Sequence, residues 1–220
     1  MFGVVAVEYG RSGAERCSAG SDFRETHVPF TEIYLTRRNP SIAEEDWPRT
    51  WRSHAVFVGS LGLGGPIELM LYCARIYGAD APGLNTDYDG VALLRYAARE
   101  ETIWDTPPEI QSQIDRDELR VFERNIPEVR VYTEQTEATG ADPSDFVVLR
   151  FFGDDDEVTG ARGSAVRFAR NDVYGDRPEG YEFAAVTETW FESEDQALAS
   201  IGAETARVTM LARVVHRWPR

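Results

Sequence analysis

The sequence predicts an α+β fold in which two modules of mixed helix and strand follow one another. Three observations predict it. Between Phe30 and Glu137 the segments follow the order β-α-β-β-α-β, which is the ferredoxin-like order. A second set of strands begins at Phe146, after a small, polar, proline-bearing stretch. A chain of 220 residues is long enough for two modules of about 110 residues each.

Composition excludes several classes of function. The formal net charge is −15, so the surface repels the phosphate backbone and no nucleic-acid partner is expected. The sequence contains no lysine, which excludes a Schiff base or a P-loop lysine. The longest uncharged run, Ser53 to Ile67, is too short and too rich in glycine to span a bilayer. We therefore expect a cytoplasmic protein with no membrane partner.

The first module begins after an N-terminal extension, residues 1–29, to which no role is assigned. Phe30 to Thr36 alternates and is rich in β-formers, so it is predicted to be a strand. Ser41 and Glu44 have the spacing of a capping box, which predicts a helix from Ile42. Pro48 is then expected to kink or delay that helix.

The remaining elements of the first module follow in order. Two strands are predicted, at Ile67 to Tyr77 and Tyr88 to Tyr96. Pro107 and Pro108 suit the start of a second helix, and an apolar stripe continues it to Arg124. A strand beginning at Val129 then completes a module over residues 30–137.

The second module covers residues 146–220 and follows a linker at 138–145. Its predicted strands are Phe146 to Phe152, Ala165 to Tyr174, Phe183 to Phe191 and Arg207 to Trp218, with a short helix at Ser193 to Ile201. Short matches, such as Tyr77-Gly78 with Tyr174-Gly175, suggest a repeat of the first module. The spacing between its first two strands predicts that this copy has lost the first helix.

Several motifs of the first module resemble the EthD domain. They are Tyr34 to Pro40, Glu44 to Trp47, Trp51-Arg52-Ser53-His54, Tyr88 to Ala92, Asp117 to Phe122 and Val131 to Glu134. The second module matches well only at Trp190 to Ser193. The resemblance implies a dimeric α/β barrel: two antiparallel sheets facing each other, with helices outside and a ligand cavity between sheet and helix. This chain would supply both halves as a pseudo-dimer, and a homodimer of pseudo-dimers is left open.

His54 is the leading catalytic candidate, because imidazole titrates near neutrality and can move a proton at a carbon acid. The alternative is a histidine packed beside Trp51. Tyr34 is a candidate phenol donor to a substrate carbonyl, or else an ordinary strand residue. Asp89 is a candidate to orient the His54 ring, although Asp87 to Gly90 also has the composition of a turn.

Trp47, Trp51 and Tyr88 are the expected substrate-binding residues, as walls and a polar contact of the cavity. No metal site is predicted: Cys17 and Cys73 have no ligand spacing, and Asp154 to Glu157 lacks the alternation of a calcium loop. The run of glycines after the first helix stands before a strand, which is the reverse of a phosphate-binding loop.

These expectations lead to a first hypothesis, a cofactor-independent lyase, isomerase or cyclase that acts on a small hydrophobic or aromatic ring compound. His54 would be its general acid and base. A second hypothesis is a non-catalytic protein that binds a ligand in the cavity or docks an oxygenase through an exposed sheet edge. A heme-using or cofactor-free oxygenase on the same fold is a third alternative that the spacing of residues does not decide.

Overall fold

A computed structural model describes residues 29–61, 67–97, 106–141, 143–159, 163–202 and 206–219. The N-terminal extension up to residue 28, with His27, lies outside the described residues, as does the glycine run at 62–65. The strands are β1 (Phe30–Thr36), β2 (Ile67–Arg75), β3 (Gly90–Tyr96), β4 (Arg130–Gly140), β5 (Phe146–Phe152), β6 (Arg167–Tyr174), β7 (Ala185–Phe191) and β8 (Val208–Trp218). The helices are α1 (Trp47–Ser60), α2 (Pro108–Val121) and α3 (Glu194–Ala199).

The eight strands form one closed antiparallel barrel in the order β1-β3-β2-β8-β5-β7-β6-β4. Each half has its own sheet, β4-β1-β3-β2 and β6-β7-β5-β8, and the two sheets join through the pairs β2 with β8 and β4 with β6. The predicted fold class, two fused ferredoxin-like modules that form a barrel of the dimeric α/β type, is confirmed. Every named strand has two neighbours, so the described barrel offers no open sheet edge for docking an oxygenase.

The strand register decides which residues face the barrel interior. Ile33 pairs with Leu93 and Val131, and Leu149 pairs with Met210. All five side chains are buried and belong to one apolar core. Because successive residues of a strand point to opposite faces, Glu32 and Tyr34 lie on the outer face, beneath the helices. This outer face of the first half is where the candidate site lies.

The start of α1 differs from the predicted capping box. The helix begins at Trp47, after a 3₁₀ turn at Glu44–Asp46, and its N-cap makes no side-chain hydrogen bond. The Ser41 hydroxyl donates to Asn39 Oδ1 instead, at 2.7 Å. Pro48 consequently occupies the first turn, where its missing N–H has no intrahelical partner to lose, so it does not kink the helix.

The outer face of the second half is filled. The described residues between β5 and β6 contain no helix, in agreement with the predicted loss. The short α3, capped by the Ser193 hydroxyl, packs Ala197 against Val148, Phe191 and Leu211. β4 runs to Gly140, so the first residues of the predicted linker belong to a strand. Among the described residues, no helix is long and apolar enough to cross a membrane.

Candidate active site

A cavity of about 400 Å³ lies between the outer face of the first sheet and helices α1 and α2. This volume is within the range of small-molecule sites. Strands β1, β2, β3 and β4 form its floor, the two helices form its sides, and residues 126–127 close one end. Its lining residues are Glu32, Tyr34, His54, Val58, Met70, Tyr72, Leu94, Thr106, Gln111, Ile114, Glu118, Ile126, Pro127, Arg130 and Tyr132.

His54 lies on the buried face of α1 and contacts the cavity, as predicted. Its Nδ1 atom is 2.8 Å from Asp117 Oδ2 on helix α2. The other carboxylate oxygen of Asp117 accepts a hydrogen bond from Arg120 Nε at 2.8 Å. With Nδ1 held by a carboxylate, the Nε2 atom of His54 is the ring nitrogen that can exchange a proton with a molecule in the cavity.

The environment keeps the His54 imidazole neutral. Burial lowers the pKa of His54 below its ordinary value of 6.5, although the hydrogen bond and charge of Asp117 oppose that shift. Burial raises the pKa of Asp117, but the hydrogen bonds from Arg120 and His54 outweigh it, and the resulting pKa is below the ordinary value. A neutral histidine beside an ionised carboxylate has the charge distribution of a general base.

Two phenols, those of Tyr34 and Tyr72, line the floor of the cavity. The centroids of their rings are 6.2 Å apart. Burial raises the pKa of both groups. Both phenols therefore keep their protons, and both hydroxyls line the cavity, where either can donate a hydrogen bond to a ligand.

The cavity also holds two buried carboxyl groups, Glu32 and Glu118. Glu32 Oε1 is 3.5 Å from Arg130 Nη1, and Glu32 Oε2 accepts a hydrogen bond from Tyr96 at 3.2 Å. Glu118 Oε2 accepts one hydrogen bond, 2.9 Å long, from the backbone N–H of Ile126. Burial raises the pKa of Glu32, and it raises that of Glu118 to about 7. Arg130 thus pairs with Glu32, whereas the hydrogen-bond partner of Glu118 among the described residues is a backbone N–H.

Asp89 is not the partner of His54, so the predicted pairing is wrong. The Asp89 carboxylate accepts hydrogen bonds from Arg38 Nη1 at 3.0 Å and from the Tyr77 hydroxyl at 2.8 Å. Arg75 Nη2 lies 3.4 Å from the same carboxylate. These partners hold the loop before β3 against the end of β1. Asp89 lies directly before β3, but its side chain is not part of the cavity lining.

Trp47 and Trp51, predicted to contact the substrate, lie behind the cavity wall. Both side chains are fully buried and their rings stack with centroids 5.1 Å apart. Trp51 also stacks on Tyr72 at 4.8 Å. The two tryptophans therefore support the phenol that faces the cavity, and neither one is among the lining residues.

Tyr88 is also distant from the cavity lining. Its ring packs 6.2 Å from that of Tyr181 and beneath the Arg37 guanidinium, 4.8 Å from the ring centroid. Of the six predicted site residues, His54 and Tyr34 are brought together at the cavity.

Sequence reasoning missed Asp117, Tyr72 and the two buried carboxyl groups. One signal was present: Glu118 stands on the apolar stripe of α2, four residues after Ile114 and three before Val121, where a solvated residue is not expected. Asp117 follows Ile114 by three residues. No group of three or more potential metal ligands occurs in the part of the chain that the structure describes.

Comparison with known proteins supports the fold. No protein-family model matches the sequence, and no curated protein matches it significantly. A proposed monooxygenase from Fusobacterium nucleatum subsp. nucleatum has a similar structure, with a TM-score of 0.52 and 9% identity over 87% of this chain and 94% of that one. This similarity concerns the fold alone, and the EthD family itself is not confirmed.

Two further solved structures align less closely. An anthrone oxidase-like protein matches with a TM-score of 0.46 and 9% identity, over 88% of this chain and 93% of that one. A proposed chlorite dismutase matches with a TM-score of 0.45 and 11% identity, over 87% of this chain and 96% of that one.

Proposed function

We propose that this chain is a cofactor-independent acid–base enzyme of the EthD-like barrel type, a lyase, isomerase or cyclase for a small ring compound. The observation that carries the proposal is the His54–Asp117 pair at the edge of a 400 Å³ cavity. A carboxylate on Nδ1 fixes the tautomer and orientation of the ring, and so leaves the Nε2 lone pair as the base.

The proposed chemistry is proton transfer next to a carbonyl group. Nε2 of His54 removes a proton from the carbon beside the carbonyl, and the electron pair of the broken C–H bond moves to the carbonyl oxygen. The hydroxyl of Tyr72 donates a hydrogen bond to the resulting enolate, in a buried environment that strengthens the interaction. The Asp117 carboxylate stabilises the imidazolium.

The reaction is completed when the imidazolium returns its proton. Return to a different carbon isomerises the compound, and donation to a departing hydroxyl eliminates water. The same enolate could instead attack a second carbonyl carbon of a polyketide-like chain, with the proton going to the new alkoxide. All three outcomes use only the proton that His54 has taken.

This chemistry can be tested with a model ketone, without knowledge of the natural substrate. 2-Tetralone, a neutral bicyclic ketone, is incubated with the protein in D₂O, and exchange of the hydrogens next to its carbonyl is followed by NMR. We expect faster exchange than in buffer, and loss of the acceleration in His54→Gln with an unchanged melting temperature. Equal exchange rates in the two proteins would refute a catalytic His54. Binding of the ketone without accelerated exchange would instead support a ligand-binding protein.

Asp117 is proposed as a positioning residue. Asp117→Asn should slow exchange by about tenfold or more, in the range seen when such orienting carboxylates are removed. It should also move the acidic limb of the pH profile to lower pH, because Asp117 raises the pKa of His54. Asp46→Asn is the matched control, since Asp46 also pairs with an arginine three residues later, at 2.6 Å, but lies outside the cavity. An unchanged pH profile in Asp117→Asn would contradict the assignment.

A further inference from the structure

We propose that Glu118 makes the cavity selective for uncharged ring compounds that carry hydroxyl groups, and that it excludes the corresponding carboxylates. This inference rests on the proposed function only in taking the cavity as the ligand site. It deepens that function by naming the class of substrate.

The described lining residues carry little uncompensated positive charge. Arg130 is the one permanent cation among the lining residues that the structure describes, and its guanidinium lies 3.5 Å from Glu32 and 5.2 Å from the centroid of the Tyr132 ring. The Glu32 carboxylate therefore offsets the charge of Arg130 before a ligand enters the cavity. Glu118 adds a second carboxyl group, and no cation among the described residues lies within hydrogen-bonding distance of it.

The cavity offers both a hydrogen-bond acceptor and a hydrogen-bond donor to a neutral ligand. Glu118, only 3% exposed, uses Oε2 to accept from the Ile126 N–H and can accept from a ligand hydroxyl as well. Tyr72 presents a donor, and Val58, Met70, Leu94 and Ile114 supply apolar contacts for a ring. A flat compound with a hydroxyl group at one end and a carbonyl at the other satisfies both polar groups.

Glu118 is surrounded by titratable groups from every packed element. These are His54 from α1, Glu32 and Tyr34 from β1, Tyr72 from β2, Arg130 and Tyr132 from β4, and Asp115 and Asp117 from its own helix. With a pKa of about 7, Glu118 is mostly protonated at pH 6 and mostly ionised at pH 8. Exclusion of anions should therefore strengthen as the pH rises from 6 to 8.

The test compares two molecules with the same ring and different charge, 2-naphthol and 2-naphthoate, by calorimetry at pH 6 and pH 8. We expect 2-naphthol to bind with similar affinity at both values. 2-Naphthoate should bind at least about tenfold more weakly at pH 8, since a like charge a few ångströms away in a buried site costs that much or more. Binding of 2-naphthoate should be accompanied by uptake of a proton.

Glu118→Gln should remove this discrimination, because an amide keeps the hydrogen bond from Ile126 but carries no charge. 2-Naphthoate affinity at pH 8 should rise by about tenfold, with little change for 2-naphthol. Glu109→Gln is the matched control, because Glu109 is an exposed carboxylate on the same helix. Equal affinities for both compounds in the wild type, or binding of neither, would overturn the proposal.

The two proposals fail separately. His54→Gln should still bind 2-naphthol and reject 2-naphthoate at pH 8, whatever its effect on exchange of 2-tetralone. Loss of ketone exchange with intact selectivity would affect only the catalytic assignment. Accelerated exchange without selectivity would affect only the role of Glu118.

Discussion

The barrel interior contains a buried ion pair whose removal should be costly. Arg95 on β3 and Glu188 on β7 are separated by three strands in the sheet order, yet Arg95 Nη2 is 2.8 Å from Glu188 Oε2 across the barrel. Glu188 is fully buried, and it also accepts hydrogen bonds from Trp190 Nε1 at 3.0 Å and Asn171 Nδ2 at 2.9 Å. Both carboxylate oxygens therefore face donors.

Glu188→Gln should destabilise the protein although it conserves volume. Whichever way the amide is placed, its NH₂ group faces a donor, and the Arg95 charge loses its counterion in a buried setting. Breaking a buried pair in this way costs about 3–5 kcal/mol. For a chain of this size, that cost lowers the melting temperature by roughly 10 °C.

The assay is denaturant unfolding of four proteins: wild type, Glu188→Gln, Arg95→Met and the double variant Glu188→Gln/Arg95→Met. Each single variant leaves one partner unsatisfied, whereas the double variant removes both charges and should recover most of the loss. Asp154→Asn is the control, since its ion pair with Arg177 is on the surface and should be worth less than about 1 kcal/mol. If Glu188→Gln lowers the free energy of unfolding no more than the control does, the Arg95–Glu188 pair does not stabilise the barrel as proposed.

Three further outcomes are expected. Burial raises the pKa of Glu118 from an ordinary 4.5 to about 7, so the contribution of this group to stability is complete below pH 4.5 and is lost as the pH rises through 7. In urea titrations at pH 5 and pH 8, Glu118→Gln should therefore be more stable than wild type at pH 8, by up to about 3 kcal/mol. An equal pH dependence of the two proteins would contradict this expectation. Gly90→Ala places a methyl group against the Trp51 ring, so unfolding midpoints should show a loss of about 1–3 kcal/mol, and a neutral effect would mean that the ring can shift. The purified protein should show no Soret band in its visible spectrum, and a strong band would favour the heme-using alternative.

Local patterns were sufficient to predict most strands and the position of His54. Alternation in β1 and the helical spacing of Trp47, Trp51 and His54 are properties of short segments, and packing against one sheet preserved both. The predicted helix start was wrong because the Ser41 N–H and hydroxyl both donate to Asn39 Oδ1, so the Ser41 side chain does not cap the helix. A local motif was thus overridden by a competing local hydrogen bond.

The partners of His54 could not be predicted from spacing, because they depend on contacts between distant segments. Asp117 is 63 residues from His54 and reaches it only through the packing of α2 beside α1. Asp89 was closer in sequence and belongs to the same sheet, but Arg38 and Tyr77 bind its carboxylate. Which arginine pairs with a given buried carboxylate depends on tertiary geometry.

The covalent joining of the two sheets has a genetic consequence. In an assembly of two identical chains, one codon specifies both sides of the symmetry axis, so a favourable change on one side is imposed on the other. Here each side has its own codons. In β1 the residue four positions after the first paired residue, Phe30, is Tyr34, whereas in β5 the residue four positions after the first paired residue, Phe146, is Arg150. Different side chains can therefore occupy corresponding positions, so that the outer face of one half forms an open cavity while that of the other half is packed against a short helix.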